Sequence, residues 1–301
     1  MKLAVTGGTG FVGGRLLAMA EGESCTINAL TRRPQPARDG ITWVEGALDN
    51  RDTLHQLVHD ADAVIHVAGV VNAPDADGFE AGNVAGTLSL LAAATAAGVR
   101  RFVHVSSLAA REPELSLYGA SKAKGERLVT ESGLDWVIVR PPAVYGPGDR
   151  DMLELFKAAR AGIMPLPPNG RLSLIHADDL VRLLLRLANP RAPSRVLYEP
   201  DDAHAGGYSH KEFARAIAAA SGRRALSFNV PPALLRAGAR IDRLLRRGQA
   251  RLTPDRAAYF CHPDWVSDPA RRPPPDLWVP RISAAQGLAE TAGWYRSRGW
   301  L

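Results

Sequence analysis

The sequence predicts an α/β fold, a doubly wound parallel sheet followed by a smaller C-terminal cap, and three observations carry that prediction. Short apolar runs alternate with helical patterns along most of the 301 residues, which is how parallel strands covered on both faces read. The first run, Leu3-Ala4-Val5, enters the glycine turn Thr6-Gly7-Gly8-Thr9-Gly10-Phe11-Val12-Gly13, and a helical pattern follows through Leu16, Leu17 and Met19. The length exceeds what one such sheet needs and leaves room for a cap.

The glycine turn is the first place where the pattern implies chemistry. Gly7 lets the chain leave the strand at a dihedral that other residues resist. Gly10 has no Cβ, so a pyrophosphate can approach the amides at the helix N-terminus, and Gly13 allows close helix–sheet packing. Gly7, Thr9, Gly10, Phe11, Val12 and Gly13 are therefore candidate dinucleotide-binding residues. The second strand, Thr26-Ile27-Asn28-Ala29-Leu30-Thr31, ends at Arg32-Arg33-Pro34. In this fold class an acid at that end bonds a ribose 2′-hydroxyl, whereas arginine pairs with a 2′-phosphate. Thr31 followed by Arg32 and Arg33 favours NADP(H) over NAD(H).

The third and fourth strands are expected at Ile41–Gly46 and Ala63–Gly69, with Ala68 and Gly69 ending the latter beneath the cofactor. The fifth, Arg101–Ser107, ends in two serines, and Tyr118-Gly119-Ala120-Ser121-Lys122 opens a helix after it. Residues four apart on a helix share a face, so Tyr118 and Lys122 point into one site. A free phenol titrates near 10, too high for proton exchange at neutral pH. A nearby ammonium favours the phenolate, and lowering the value by roughly 3 units needs about 4 kcal/mol. Tyr118 then becomes a general acid for a carbonyl oxygen.

Glycines spaced three apart after Thr6, the double serine and Tyr-x-x-x-Lys occur in an order that resembles the extended and atypical branches of the short-chain dehydrogenase/reductase superfamily, the NAD-dependent epimerase/dehydratase-like proteins. The likeness covers roughly the first two-thirds of the chain and, more loosely, the rest. It implies a Rossmann-type NADP-binding domain over residues 1–200 and a substrate-binding cap over 201–301, with 163–171 a candidate part of the cap. It implies that Ser107, at the strand tip, bonds the substrate oxygen, that Lys122 also binds the nicotinamide ribose, and that Asn83 supports the site. The stretch Arg140-Pro141-Pro142-Ala143-Val144-Tyr145-Gly146-Pro147 matches extended members, and Pro141 and Val144 join the cofactor set. Family members carry an aspartate after Gly46 to contact adenine; this chain has Ala47, and the neighbouring Leu48 is counted with the cofactor site. The resemblance also implies a homodimer through the helices after the fourth and fifth strands.

Composition narrows the remaining classes. The formal net charge is +6, but no nucleic-acid motif accompanies it. Cys25 and Cys261 are distant and lack metal-ligand spacing. His55 and His59 lie four apart, without the glutamate base of a zinc protease or a third ligand, so no metal is expected. No apolar run approaches a membrane span, and Met1-Lys2 leads directly into the first strand, so a soluble cytoplasmic protein is expected. In the cap, Leu234–Arg251 carries an apolar stripe (Leu234, Ala237, Ile241, Leu244, Leu245) with Arg236, Arg240, Arg243 and Arg247 on another face. A solvated outer face is preferred there to a membrane-resting helix. Pro231, Pro232, Phe260, Trp265 and Trp278 are expected to build the cap core.

The functional reading is an NADP(H)-dependent oxidoreductase interconverting a carbonyl and an alcohol of a small or apolar compound. Leu172-Ser173-Leu174 stands where sugar-nucleotide enzymes place a diphosphate-gripping arginine, Arg171 being one residue out of register. Leu108-Ala109 stands where dehydratases place acids. Two alternatives remain open: an NADP-linked epimerase using the same Tyr118, and a non-catalytic nucleotide-bound assembly subunit resembling the atypical complex I-associated members.

Overall fold

Strands that are buried along nearly their whole length can only sit where both sheet faces are covered, and four such segments set the architecture. In the computed structural model, which describes residues 1–21, 25–246 and 253–301, the first strands in chain order are β1 (Lys2–Thr6), β2 (Thr26–Thr31), β3 (Ile41–Glu45), β4 (Ala63–His66), β5 (Arg101–Val105) and β6 (Asp135–Val139). Then follow β7 (Ala143–Tyr145), β8 (Ile163–Leu166), β9 (Arg171–Leu172), β10 (Leu174–His176), β11 (Val196–Tyr198), β12 (Tyr208–Ser209), β13 (Leu226–Asn229) and β14 (Asp264–Trp265). β1, β2, β4 and β5 are buried almost throughout and occupy interior positions.

The main sheet has seven strands in the order β11-β6-β5-β4-β1-β2-β3, and every pairing in it is parallel. Strand order reverses at β1, the place where such sheets open a crevice beyond the strand ends. β3 is an edge strand, with only Val44 buried. Helices Phe11–Ala20, Arg51–Val58, Gly86–Ala96 and Leu117–Glu131 alternate with the strands. The connection that leads into β11 is fixed by Arg101, a fully buried side chain whose Nε donates to the Leu187 carbonyl (2.6 Å) and whose Nη2 donates to the Pro193 carbonyl (2.8 Å). A guanidinium on carbonyls at the end of helix Ala177–Leu187 is favourable both as a cap and against the helix dipole.

The chain divides into two compact units, Met1–Arg140 with Leu180–Tyr198 and Pro273–Trp278, and Pro141–Asp179 with Glu199–Arg272 and Val279–Leu301. Residues 141–179, expected with the nucleotide-binding domain except for the candidate cap segment 163–171, thus cluster with the second unit, where β7 pairs with β10 and not with the main sheet. The second unit has its own core, including Tyr145, Phe156, Phe213, Leu288 and Tyr295. Gly287 is required inside helix Ala284–Ser297, because a Cβ there would lie 2.7 Å from the Tyr145 hydroxyl. Trp265 is buried as expected of the cap core, but Phe260, Pro231 and Pro232 are exposed and buried Trp278 belongs to the first unit.

Candidate active site

The glycine turn takes its shape from three steric constraints. Gly7 has φ +74°, and a Cβ on it would stand 2.7 Å from the Ala68 amide nitrogen, so the turn lies directly against the end of β4. A Cβ on Gly13 would overlap the Gly7 carbonyl. Gly10 caps helix Phe11–Ala20 with no side-chain hydrogen bond, and no acid occupies the first turn. The helix therefore begins with unclaimed amide donors behind a cradle that a side chain would fill, which suits a phosphate. Thr9 and Gly10 are exposed, and Phe11 and Val12 half-buried, on the same turn.

Thr6 ties this turn to β4. Its Oγ1 accepts from the Ala68 amide (3.2 Å) and meets His66 Nδ1 at 2.7 Å. On the other side of the ring His66 Nε2 lies 3.0 Å from Thr87 Oγ1, whose own proton goes to the Asn83 carbonyl (2.8 Å). Thr87 must therefore accept from His66, which fixes the Nε2–H tautomer and leaves Nδ1 to accept from Thr6. Burial, with the Lys122 charge adding to it, pushes the His66 pKa down to about 3, so this ring is neutral. His104 lies beside it, with ring centroids 5.3 Å apart. It too is held well below the usual range by burial first and by Lys122 and His66 after it.

Tyr118 and Lys122 stand one turn apart on helix Leu117–Glu131, capped by Ser116. Lys122 is buried, and its Nζ donates to the Val105 carbonyl at the end of β5 (2.8 Å). Burial lowers its pKa from 10.5 to about 8, against the partial support of Glu126. A Cβ on Gly69 would lie 3.6 Å from Lys122 Nζ and 3.1 Å from Asn83 Oδ1, so the loop after β4 passes beside both groups. Asn83 sits in the π-helical turn Glu80–Ala85. It clamps that loop through both backbone groups of Val70 (2.7 and 2.9 Å) and donates to Ser121 Oγ (2.9 Å), which in turn donates to the Tyr118 carbonyl (2.8 Å). Asn83 thus steadies the first turn of the Tyr118 helix. Tyr118 is half-buried, with its ring centroid 6.2 Å from that of Phe79.

Ser107 is half-buried and its Oγ accepts from the Ala109 amide (3.2 Å), opening the turn Leu108–Arg111. A Cβ on Gly119 would lie 2.6 Å from the Ala109 carbonyl, so a glycine next to Tyr118 is what lets its helix rest on the turn after Ser107. Ser106 is buried and its hydroxyl donates to Glu126 (2.5 Å), which also holds Arg140 by two bonds (2.8 and 2.6 Å). This Ser106–Glu126–Arg140 network was missed by the sequence reading. The available signal was Glu126 four residues beyond Lys122 on the same helix face.

Arg32 and Arg33 are exposed beyond β2, and Thr31 Oγ1 orders that turn by donating to the Arg33 carbonyl (2.6 Å). Leu48 is half-buried against helix Gly86–Ala96, where a Cβ on Gly86 would come within 2.8 Å of it. Pro141 and Val144 belong to the second unit, Val144 being paired with Ile175 in β7–β10. No cluster of three metal-ligating side chains exists among the described residues, and neither Cys25 nor Cys261 is joined in a disulfide.

Residues 3–196 match the model of the NAD dependent epimerase/dehydratase family. The chain is 36% identical to the ceramide reductase of Caulobacter vibrioides over 99% of this chain and 96% of that protein. It is 30% identical to the 4-hydroxy-2-methyl-3-oxo-4-farnesyl-3,4-dihydroquinoline-1-oxide ketoreductase of Stigmatella aurantiaca, over 96% and 95% of the two chains. Among solved structures, MoeE5 in complex with UDP-glucose and NAD superposes with a TM-score of 0.75 at 24% identity, covering 99% of both chains; at that identity the likeness shows the fold. Fold, matched residues and full-length relatives agree: the chain belongs to the NAD dependent epimerase/dehydratase family.

Proposed function

We propose that the protein is an NADP(H)-dependent reductase or dehydrogenase that interconverts a carbonyl and an alcohol on an apolar substrate. The observation that carries the reading is the intact Tyr118–Lys122 pair, with Lys122 buried, anchored on Val105 and flanked by the Gly69 loop. The glycine turn would hold the pyrophosphate and Lys122 the ribose, while Arg32 and Arg33 would pair with a 2′-phosphate. When bound, the nicotinamide supplies or accepts the hydride at the substrate carbon. Ser107, whose oxygen only accepts within its own turn, keeps its proton to donate to the substrate oxygen. Tyr118 delivers the proton to that oxygen, its phenolate favoured by the ammonium one turn away.

Three observations support an apolar ketone over a sugar nucleotide. Arg171, the nearest candidate for a diphosphate grip, has Nε and Nη2 engaged on the Gly206 and Gly207 carbonyls (both 2.6 Å). Leu108 and Ala109, at the positions where dehydratases place acids, are buried apolar side chains. Both relatives named above are reductases, one of a ceramide and one of a farnesyl-bearing ketone. The test is NADPH oxidation with a panel of long-chain and short ketones, for wild type and Tyr118→Phe. Turnover on long-chain ketones that falls at least about a hundredfold in the variant supports the reading. Interconversion of epimers without net NADPH consumption, or an unchanged variant, overturns it.

A further inference from the structure

We propose that the second unit carries a docking surface for an anionic lipid bilayer, built on the outer face of the two-stranded sheet β8–β13. β8 turns Met164 and Leu166 into the core and Ile163 and Pro165 outward. Parallel pairing sets Leu226 beside Ile163 and Phe228 beside Pro165, and both β13 residues also face out. Ile163 is 54% exposed, Leu226 73% and Phe228 47%. A sheet face turned to water is ordinarily polar; here all four outward positions are apolar, the kind of patch that marks a contact surface. After Val230 and Pro231 the chain enters helix Pro232–Arg246, where Leu234 (63%) and Ile241 (57%), two turns apart, are exposed as well. The apolar stripe of this helix is therefore open at both of these positions.

The surrounding charge names the occupant. From Phe213 to Ile241 there is no Asp or Glu, while Arg215, Arg223, Arg224, Arg236 and Arg240 are all exposed. Leu155 to Ala177 likewise lacks acids and adds exposed Arg160 just before β8, Lys157 being paired with Glu154 (3.3 Å). Apolar side chains among cations of a single sign match a headgroup layer of anionic lipid over hydrocarbon. A second copy of the chain fits poorly, because a two-fold interface would set the same arginines against each other. No helix among the described residues is long and apolar enough to cross a membrane, so the contact is peripheral. The inference stands apart from the substrate reading, since it concerns vesicle binding in the absence of substrate.

The test is flotation of the full-length protein with phosphatidylcholine vesicles prepared with or without phosphatidylglycerol. The expected result is flotation with the anionic vesicles only, weakened by high salt. The bound fraction should fall about tenfold or more in Leu226→Ser/Phe228→Ser and in Arg223→Glu/Arg224→Glu, with wild-type thermal melting retained in both. Absence of flotation in the wild type, or variants that float as well as wild type, would overturn the proposal. So would a dimer in sedimentation velocity that Leu226→Ser/Phe228→Ser dissociates without any vesicle binding, which would assign the face to a second copy.

Discussion

Replacing Lys122 by methionine is expected to make the apo protein more stable while abolishing its activity. Lys122 is buried, and its pKa falls from 10.5 to about 8 because burial disfavours the ammonium more than Glu126 supports it. At neutral pH the charge is present in folded and unfolded chains alike, so the folded state carries about 3 kcal/mol of unfavourable free energy. Methionine has similar length and no charge to desolvate. Losing the Nζ bond to the Val105 carbonyl gives back about 1 to 2 kcal/mol, which leaves the variant about 1 to 2 kcal/mol more stable. The unfolded chain keeps the proton up to its ordinary pKa and the folded chain only to about 8, so the penalty is complete below pH 8 and disappears as pH rises toward 10.5. Urea denaturation of the apo protein should therefore show wild type gaining about 2 kcal/mol between pH 7 and about 9.5, and Lys122→Met gaining none of it. A variant less stable than wild type at pH 7, together with a flat wild-type profile, would refute the reasoning.

The acid side is governed by the neutral imidazoles. Folded His66 stays unprotonated to about pH 3, whereas in the unfolded chain it takes up a proton below about 6.5, so His66 alone removes about 2 kcal/mol of stability by pH 5. His104 acts in the same direction, and Asp149, raised to about 6 chiefly by burial, offsets about 1 kcal/mol by taking up its proton in the folded state first. Among the described residues neither ring nitrogen of His104 has a hydrogen-bond partner, so His104→Leu should fold and show a shallower loss between pH 7 and pH 5 in urea titrations. Arg32→Ala/Arg33→Ala should weaken NADPH binding by about ten- to a hundredfold in fluorescence titration and leave NADH nearly unchanged. Gly13→Ala should lower affinity for both cofactors by at least about tenfold, because its methyl group would displace the Gly7 carbonyl that shapes the turn.

What the sequence made legible follows the range of the forces involved. β2 spans Thr26–Thr31 and helix Ala177–Leu187 ends at Leu187, as the local patterns require, because continuous burial and helical periodicity are written in consecutive residues. The partner of a strand is not. The proline- and glycine-rich stretch around Ala143–Tyr145 reads locally as no more than a rigid loop, yet these residues pair with Leu174–His176 and residues 141–179 belong to the second unit. Leu234 and Ile241 have the spacing of a packed stripe, but periodicity identifies a face without saying whether anything covers it. Both are exposed.

The two adjacent serines show how nonlocal contacts separate roles that the sequence tells apart only by the place of Ser107 at the strand tip. Ser106 and Ser107 both follow β5, and the alternation of an extended chain sends their side chains to opposite sides. Ser106 meets Glu126, twenty residues on, and Glu126 is already fixed by Arg140. A hydroxyl donating to a buried, paired carboxylate is not available to a substrate oxygen without leaving that charge under-solvated. Ser107 receives an amide and, among the described residues, donates to none, so its proton is the one at liberty to be donated. The same Glu126 supports the Lys122 ammonium from one turn away. Glu126→Gln should therefore lower the Lys122 pKa further and loosen Ser106 and Arg140 together. A variant that retains the wild-type pH profile of turnover and its melting temperature would show that the network is incidental to the site.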